Sequence, residues 1–310
     1  MNSLPLVAIL LATYNGSKYV KSQLDSLLSQ TYPHIAIYIW DDGSSDNTVS
    51  IVKDYIAQNN TPRQIILLEN NGTNLGCPGS FYEISRKCAS ADYYAFCDQD
   101  DIWYPDKIKW AVETLEMQSE KQKPCVYFSA YEYYTDTGTF LHRSPVQKAR
   151  TELTDVLYYT PASGFVIVFN EAARQQLILN VDPGKELHDR WILRGAACFG
   201  SVLYDTRTSA AHIRHAHAVT AEDSTDSSLI RSFFKNEIAG TAMTDSKKYL
   251  SHFETTFADR LSKSQKRTLA LFTAPNSLFR QIRKLCYPKR LRARLAGEIA
   301  IRILFFIGKI

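Results

Sequence analysis

The chain has no run of about eighteen uninterrupted apolar residues, so no segment reads as a membrane-spanning helix. Its six cysteines, Cys77, Cys88, Cys97, Cys125, Cys198 and Cys286, include no CxxC pair. That excludes the usual zinc spacings and offers no disulfide framework; reduced thiols in a cytosolic setting fit best. The opening MNSLPLVAILLATYN contains no basic residue and reads as a buried strand rather than a signal peptide. Internal repeats and low-complexity tracts are missing as well. Acids are nearly absent from the last fifty residues: from Leu261 onward twelve Lys/Arg stand against Glu298 alone, a local charge of +11 in a chain whose total is +4. The remainder therefore carries −7. Such a split points to a polyanionic partner for the tail, either nucleic acid or an anionic membrane. A solvated helical surface and a subunit interface are the alternatives.

What is present is an ordinary globular composition, 45% hydrophobic and 22% charged over 310 residues. LPLVAILLAT is a short apolar run closed by the turn formers Tyr14-Asn15-Gly16, hence a strand. Ser17 can cap a helix whose face is Val20, Leu24, Leu27 and Leu28. IAIYIW gives a second strand, closed by DDGSSDNT, in which Asp46 or Asn47 can cap the next helix. RQIILLE, a Gly-rich loop, a helix over about 81–89 and the strand DYYAFC follow. Strand–helix alternation of this kind predicts a parallel, helix-covered sheet over the first 120 residues. Ligands of such sheets sit beyond the carboxyl ends of the strands. Three polar loops fall there: ATYNG, DDGSSDN and CDQDD. Further on, VYFSAYEYY and SGFVIVFN read as strands, with helices over about 171–179 and 189–197.

The CDQDD loop packs Asp98, Asp100 and Asp101 into four positions. Two carboxylates one residue apart on extended backbone point the same way. A divalent cation relieves their repulsion, and Mg²⁺ or Mn²⁺ is commonly held by one or two carboxylates plus substrate phosphates. Asp98 and Asp100 thus suggest a metal that carries a diphosphate, while Asp101 reads as the cap of the helix that follows. A helix cap alone would explain an acid in this loop too.

TYNG, WDDGSSDNT and CDQDDIWYPDKI, in this order and spacing, resemble the inverting family 2 glycosyltransferases, over residues 4 to about 215. The resemblance implies the GT-A fold of nucleotide-diphospho-sugar transferases: α/β with a mixed central sheet. It places Tyr14, with Thr13 beside it, where the family stacks on the nucleotide base, and Asp42 where the base is hydrogen-bonded. Asp98 and Asp100 match the DxD element that meets ribose and the metal-bound diphosphate. Asp189, in LHDRW, matches the general base, although many members have Glu where this chain has His188. His215, in HIRHAHAVT, matches a histidine that helps bind the diphosphate, with departures from the family at His212 and Ile213. The wording DQDDIW and LHDRW is most similar to bacterial members that use dTDP-L-rhamnose to build cell-surface polysaccharides.

The expected organisation is a catalytic domain over 1–220, with its nucleotide half to about 125 and its acceptor half to 220, followed by a helical region over 221–310. In the tail, Leu291, Leu295, Ile299 and Ile303 recur every four residues while Arg292, Arg294 and Arg302 lie elsewhere, with Pro288 separating two segments. Basic amphipathic helices of this kind lie on anionic membranes. A lipid-linked saccharide acceptor, such as a polyprenyl-diphosphate saccharide, explains that docking, and nothing else suggests nucleic acid. The expectation is a cytoplasmic enzyme, peripheral at the inner face of the membrane. A nucleotidyltransferase would want a Gly-rich basic loop after the first strand, where ATYNGSKYV has one Gly and one Lys. A non-catalytic sugar-nucleotide module would not require Asp42, Asp98, Asp100 and Asp189 together.

Overall fold

The computed structural model describes residues 4–59, 62–214, 242–292 and 295–310. The chain divides into two compact units, 1–151 with 162–215, and 152–161 with 216–310. The boundary expected near residue 220, and the helical pattern expected from Ser227, lie outside the described residues.

The first unit is built on β1 (Val7–Thr13), β2 (Ile35–Asp41), β3 (Gln64–Leu67) and β4 (Tyr93–Cys97), all parallel and in the order β3-β2-β1-β4. The apolar runs of β1, β2 and β4 are almost wholly buried, as strands covered on both faces must be. Crossovers run through α1 (Val20–Leu28), α2 (Thr48–Gln58) and α3 (Gly76–Lys87). The sheet then becomes mixed. β8 (Ile167–Asn170) lies antiparallel between β4 and β6 (Cys125–Thr135), β9 (Ser201–Arg214) runs parallel to β6, and β5 (Asp101–Trp103) pairs antiparallel with β9. β7 (Phe140–Arg143) pairs with β6 off that path. Three helices complete the unit: α4 (Lys107–Glu116), the short α5 (Glu171–Arg174) running into a π-helical turn over Gln175–Leu179, and α6 (His188–Phe199).

Two local expectations are corrected. α1 begins at Val20 with Tyr19 at its cap position, and Ser17 instead donates its N–H to Asp46 Oδ2 at 3.1 Å. Asp101 caps no helix: it opens β5, opposite His212, because pairing with a strand more than a hundred residues away outweighs the local capping preference.

The second unit contains α7 (Ala242–Thr256), α8 (Lys263–Thr273), α9 (Leu278–Leu285) and α10 (Leu295–Phe306). α8 starts at a capping box: Ser262 Oγ accepts from Gln265 N at 3.2 Å, and Gln265 Oε1 accepts from Ser262 N at 2.8 Å. Leu250, Phe253, Phe257, Leu269, Phe272, Leu304 and Phe305 form its core. The segment 152–161 joins it through Tyr158, whose ring meets Phe272 and Phe305 edge-on at 5.6 and 6.0 Å. The two segments expected around Pro288 are α9 and α10, but the expected stripe is altered. Leu291 is buried ahead of α10, whereas Leu295, Ile299 and Ile303 are exposed. Arg302 turns inward onto Glu298 and the carbonyls of Lys284, Leu285, Tyr287 and Lys289.

Candidate active site

Parallel register puts Thr13 beside Asp41 and Leu11 beside Cys97, so the loops leaving β1, β2 and β4 are neighbours at one sheet edge. Hydrogen bonds knit the first two together. Thr13 Oγ1 donates to Asp41 Oδ1 at 2.9 Å, and Ser44 donates its N–H and hydroxyl to the same carboxylate at 2.8 and 2.6 Å. Asn15 N donates to Ser44 Oγ, and Ser45 N to Asn15 Oδ1, each at 2.8 Å. Asn15 holds a positive φ of 47°, which its side-chain bonding supports. Gly16 N donates to Thr48 Oγ1 at 2.8 Å. Asp46 takes both Thr48 N at 3.0 Å and Ser17 N, and this set of donors holds its carboxyl far below the usual range against the opposing effect of burial.

The third loop enters through Gln99, which lies between Asp98 and Asp100. Its side chain pairs reciprocally with the backbone of Tyr14, Oε1 accepting from Tyr14 N and Nε2 donating to Tyr14 O, both at 2.9 Å. A Cβ on Gly16 would meet Gln99 Oε1 at 2.0 Å, so only glycine admits this clamp. The Tyr14 ring is left half exposed. Asp42 is buried and organises α3: it accepts from Leu75 N at 2.8 Å, Gly76 N at 2.7 Å and Trp40 Nε1 at 3.3 Å. Asn74 Nδ2 donates to Asp42 O and Asn70 Nδ2 to Asp41 O, folding the Gly-rich loop onto the end of β2.

Asp98, Asp100, Asp101 and Asp189 share one electrostatic neighbourhood. Burial pushes the Asp98 carboxyl well above the usual range, and Asp101, Asp100 and Asp189 push in the same direction. Asp189, in the first turn of α6, is raised to about 6 by burial, opposed by the Arg190 N–H that its Oδ1 accepts at 2.6 Å. Cys77 stands near the start of α3. Loss of solvation raises its thiol to about 12, and the charges of Asp98, Asp189 and Asp42 add to the rise. Thr13, Tyr14, Asp42, Asp98, Asp100 and Asp189 thus gather around the carboxyl ends of β1, β2 and β4, while His215 lies outside the described residues.

Behind the acids stands a network that sequence reading did not assemble. His212 Nδ1 lies 2.7 Å from Asp101 Oδ1, and its ring stacks on Phe165 at 5.3 Å. Burial lifts Asp101 to about 6 while His212 opposes the rise; Asp101 in turn raises His212 against the lowering effect of its own burial. Buried Lys107 donates to Ser209 Oγ at 3.2 Å, lies 4.6 Å from the Trp103 ring, and is lowered to about 7 by burial. His188 is a core residue: burial lowers it to about 3, and its ring lies between Phe81 at 3.9 Å and Phe96 at 4.5 Å. α6 is moored by Arg194, which donates to both carboxylate oxygens of buried Glu186 at 2.7 and 2.5 Å. The place of Gln99 inside DQDD was a local signal for it. The His212–Asp101 contact depends on long-range strand pairing and had no local signal.

Among the described residues no three His, Cys, Asp or Glu side chains gather closely enough to hold a metal by themselves.

Comparison with known proteins identifies the family and the fold. Residues 8–180 match Glycosyl transferase family 2. The dTDP-rhamnosyl transferase RfbG of Shigella flexneri is 33% identical over 156 residues, 50% of this chain and 50% of that protein. An Escherichia coli relative, UDP-Glc:alpha-D-GlcNAc-diphosphoundecaprenol beta-1,3-glucosyltransferase WfaP, is 34% identical over 140 residues, 44% of this chain and 51% of its own. The chain spans about half the length of these curated relatives. Among solved structures, Staphylococcus aureus TarS 1-349 in complex with UDP-GlcNAc superposes with a TM-score of 0.60 at 16% identity, covering 97% of this chain and 79% of that one, a likeness of fold. A mixed sheet with its polar loops at one edge, a TarS-like fold and a match over more than half the sequence together make the chain a member of glycosyl transferase family 2.

Proposed function

We propose that the chain is an inverting, divalent-metal-dependent glycosyltransferase that moves a sugar from a nucleoside-diphosphate donor to a lipid-linked saccharide acceptor in surface-polysaccharide synthesis. The carrying observation is the meeting of the loop that bears Asp98 and Asp100 with the loop that bears Tyr14, through Gln99, at the carboxyl ends of β1, β2 and β4 where Asp42 also lies. In this reading the half-exposed Tyr14 ring stacks on the base, while Thr13 and Asp42 hold the loops that frame the nucleoside. Asp98 and Asp100 would hold Mn²⁺ or Mg²⁺, which when bound neutralises the charge developing on the leaving diphosphate. Asp189 takes the proton from the acceptor hydroxyl as it attacks. Its raised carboxyl is a better base than an ordinary aspartate and is still ionised above about pH 6. In this reading Asp98 and Asp100 are committed to the cation and Asp189 acts alone as base, which implies a single displacement and hence inversion.

The donor of first choice is dTDP-L-rhamnose, supported by the RfbG relative; a UDP-hexose is the second reading, supported by the name of WfaP. That name also supports a polyprenyl-diphosphate-linked acceptor. The basic tail supports an anionic membrane surface as partner, with the enzyme peripheral at the cytoplasmic face. No helix among the described residues is long and apolar enough to cross a membrane. Incubation with a panel of dTDP- and UDP-sugars, Mn²⁺ and a polyprenyl-diphosphate saccharide tests the reading. Donor-dependent lipid-linked product from dTDP-L-rhamnose supports it, product from a UDP-hexose alone selects the second donor, and no turnover of any nucleotide sugar overturns it.

A further inference from the structure

The last two helices both turn large apolar side chains to water. On α9, Leu278, Phe279, Ile282 and Leu285 fall on one helical face, and that face is exposed, by 74, 69, 52 and 38% respectively. The opposite face buries Lys284, whose ammonium donates to Asn276 Oδ1 at 2.8 Å. α10 is apolar on both sides. It packs Ile301, Leu304 and Phe305 inward and leaves Leu295, Ile299, Ile303 and Phe306 outside.

The polar groups that would ordinarily face solvent are spent inside, locking the pair. Arg302 binds four carbonyls at and beyond the end of α9. Glu298 Oε2 accepts from Leu291 N at 2.7 Å and Arg292 N at 3.0 Å, and Asn276 Nδ2 donates to Gly308 O at 2.8 Å. Two helices that each expose an apolar face on a fixed frame offer what an interface requires, and such exposure is rare on a plain surface.

Charge and length decide the occupant. A second copy would bring the same +11 against this +11, whereas an anionic surface complements it. With eight and twelve residues, α9 and α10 span about 12 and 18 Å, short of the roughly 30 Å hydrocarbon core, so they suit lying in the interface rather than crossing it.

We propose that the outward faces of α9 and α10 are the membrane-docking surface, with Phe279, Ile282, Ile299, Ile303 and Phe306 entering the acyl boundary and exposed Arg283 and Arg290 meeting anionic headgroups. This deepens the peripheral-membrane reading above and rests on it. The occupant is a bilayer surface of negative charge, not a particular lipid.

The test is co-sedimentation of the full chain with phosphatidylcholine vesicles, with and without a third of phosphatidylglycerol, for wild type, F279D/I299D and R283E/R290E. Expected is wild-type binding to the anionic vesicles that weakens as salt rises, and a loss of at least about tenfold in each variant, with helical circular dichroism and turnover of a soluble acceptor retained. Wild-type binding that both variants keep overturns this placement and leaves the membrane reading standing. Wild-type protein that ignores anionic vesicles overturns both. A wild-type dimer that F279D/I299D converts to monomer overturns the placement in favour of a second copy. If F279D/I299D loses its helical signal, R283E/R290E carries the decision alone.

Discussion

At the scale of single residues, Asp189 and Gln99 carry different burdens and fail differently when replaced. Asp189→Asn keeps the shape and removes the base, so kcat should fall about 10²-fold or more while donor KM stays near wild type. Steady-state kinetics checks this; lost donor affinity with unchanged turnover would make Asp189 a binding residue. Because burial raises Asp189 to about 6, the ionised base accumulates as pH climbs through that value. Turnover should therefore rise from pH 5 to 7 and level off above, and a flat profile across this range would contradict the assignment. Gln99→Ala frees the Tyr14 backbone from two hydrogen bonds, each worth about 1 kcal/mol. Donor KM should rise several-fold to about thirtyfold, with a smaller change in kcat. Gly16→Ala should do the same, since its methyl would displace the Gln99 amide.

At the scale of elements, legibility followed the range of the interaction that shapes each piece. β1, β2 and β4 stood out because apolar runs ended by turn formers are local signals, and their parallel neighbourhood brought the three polar loops together. β5 carries no local signal, because DIW is three residues long and is held by pairing with β9. Asp101 therefore passed for a cap, and its contact with His212 went unseen. Ser17 was a plausible cap until the backbone beyond Gly16 turned its N–H toward Asp46. α6 was visible from its pattern, but its mooring was not. The Glu186–Arg194 pair is fully buried, and a broken buried pair leaves a bare charge. Glu186→Ala should lower stability by about 3–5 kcal/mol, seen as a lower denaturant midpoint; a change under about 1 kcal/mol would show the pair to be dispensable.

At the scale of the whole molecule, the second unit draws on two stretches of chain. Residues 152–161 leave the first unit and bury Tyr158 among Phe272 and Phe305. The four-residue spacing of Leu295, Ile299 and Ile303 is the sequence signal for α10. Which faces turn outward depended on where Glu298 and Arg302 found partners. The family relationship and the placement of Tyr14, Asp42, Asp98 and Asp189 leave the chemistry as the question to settle. The direct measurement is transfer from dTDP-L-rhamnose to a polyprenyl-diphosphate saccharide by the wild-type chain, with Mn²⁺ and with EDTA, and with the anomeric configuration of the product read by NMR. Product of inverted configuration that disappears in EDTA and in Asp100→Ala is expected. Retained configuration, or full activity in EDTA, would contradict an inverting, metal-dependent transferase built on these acids.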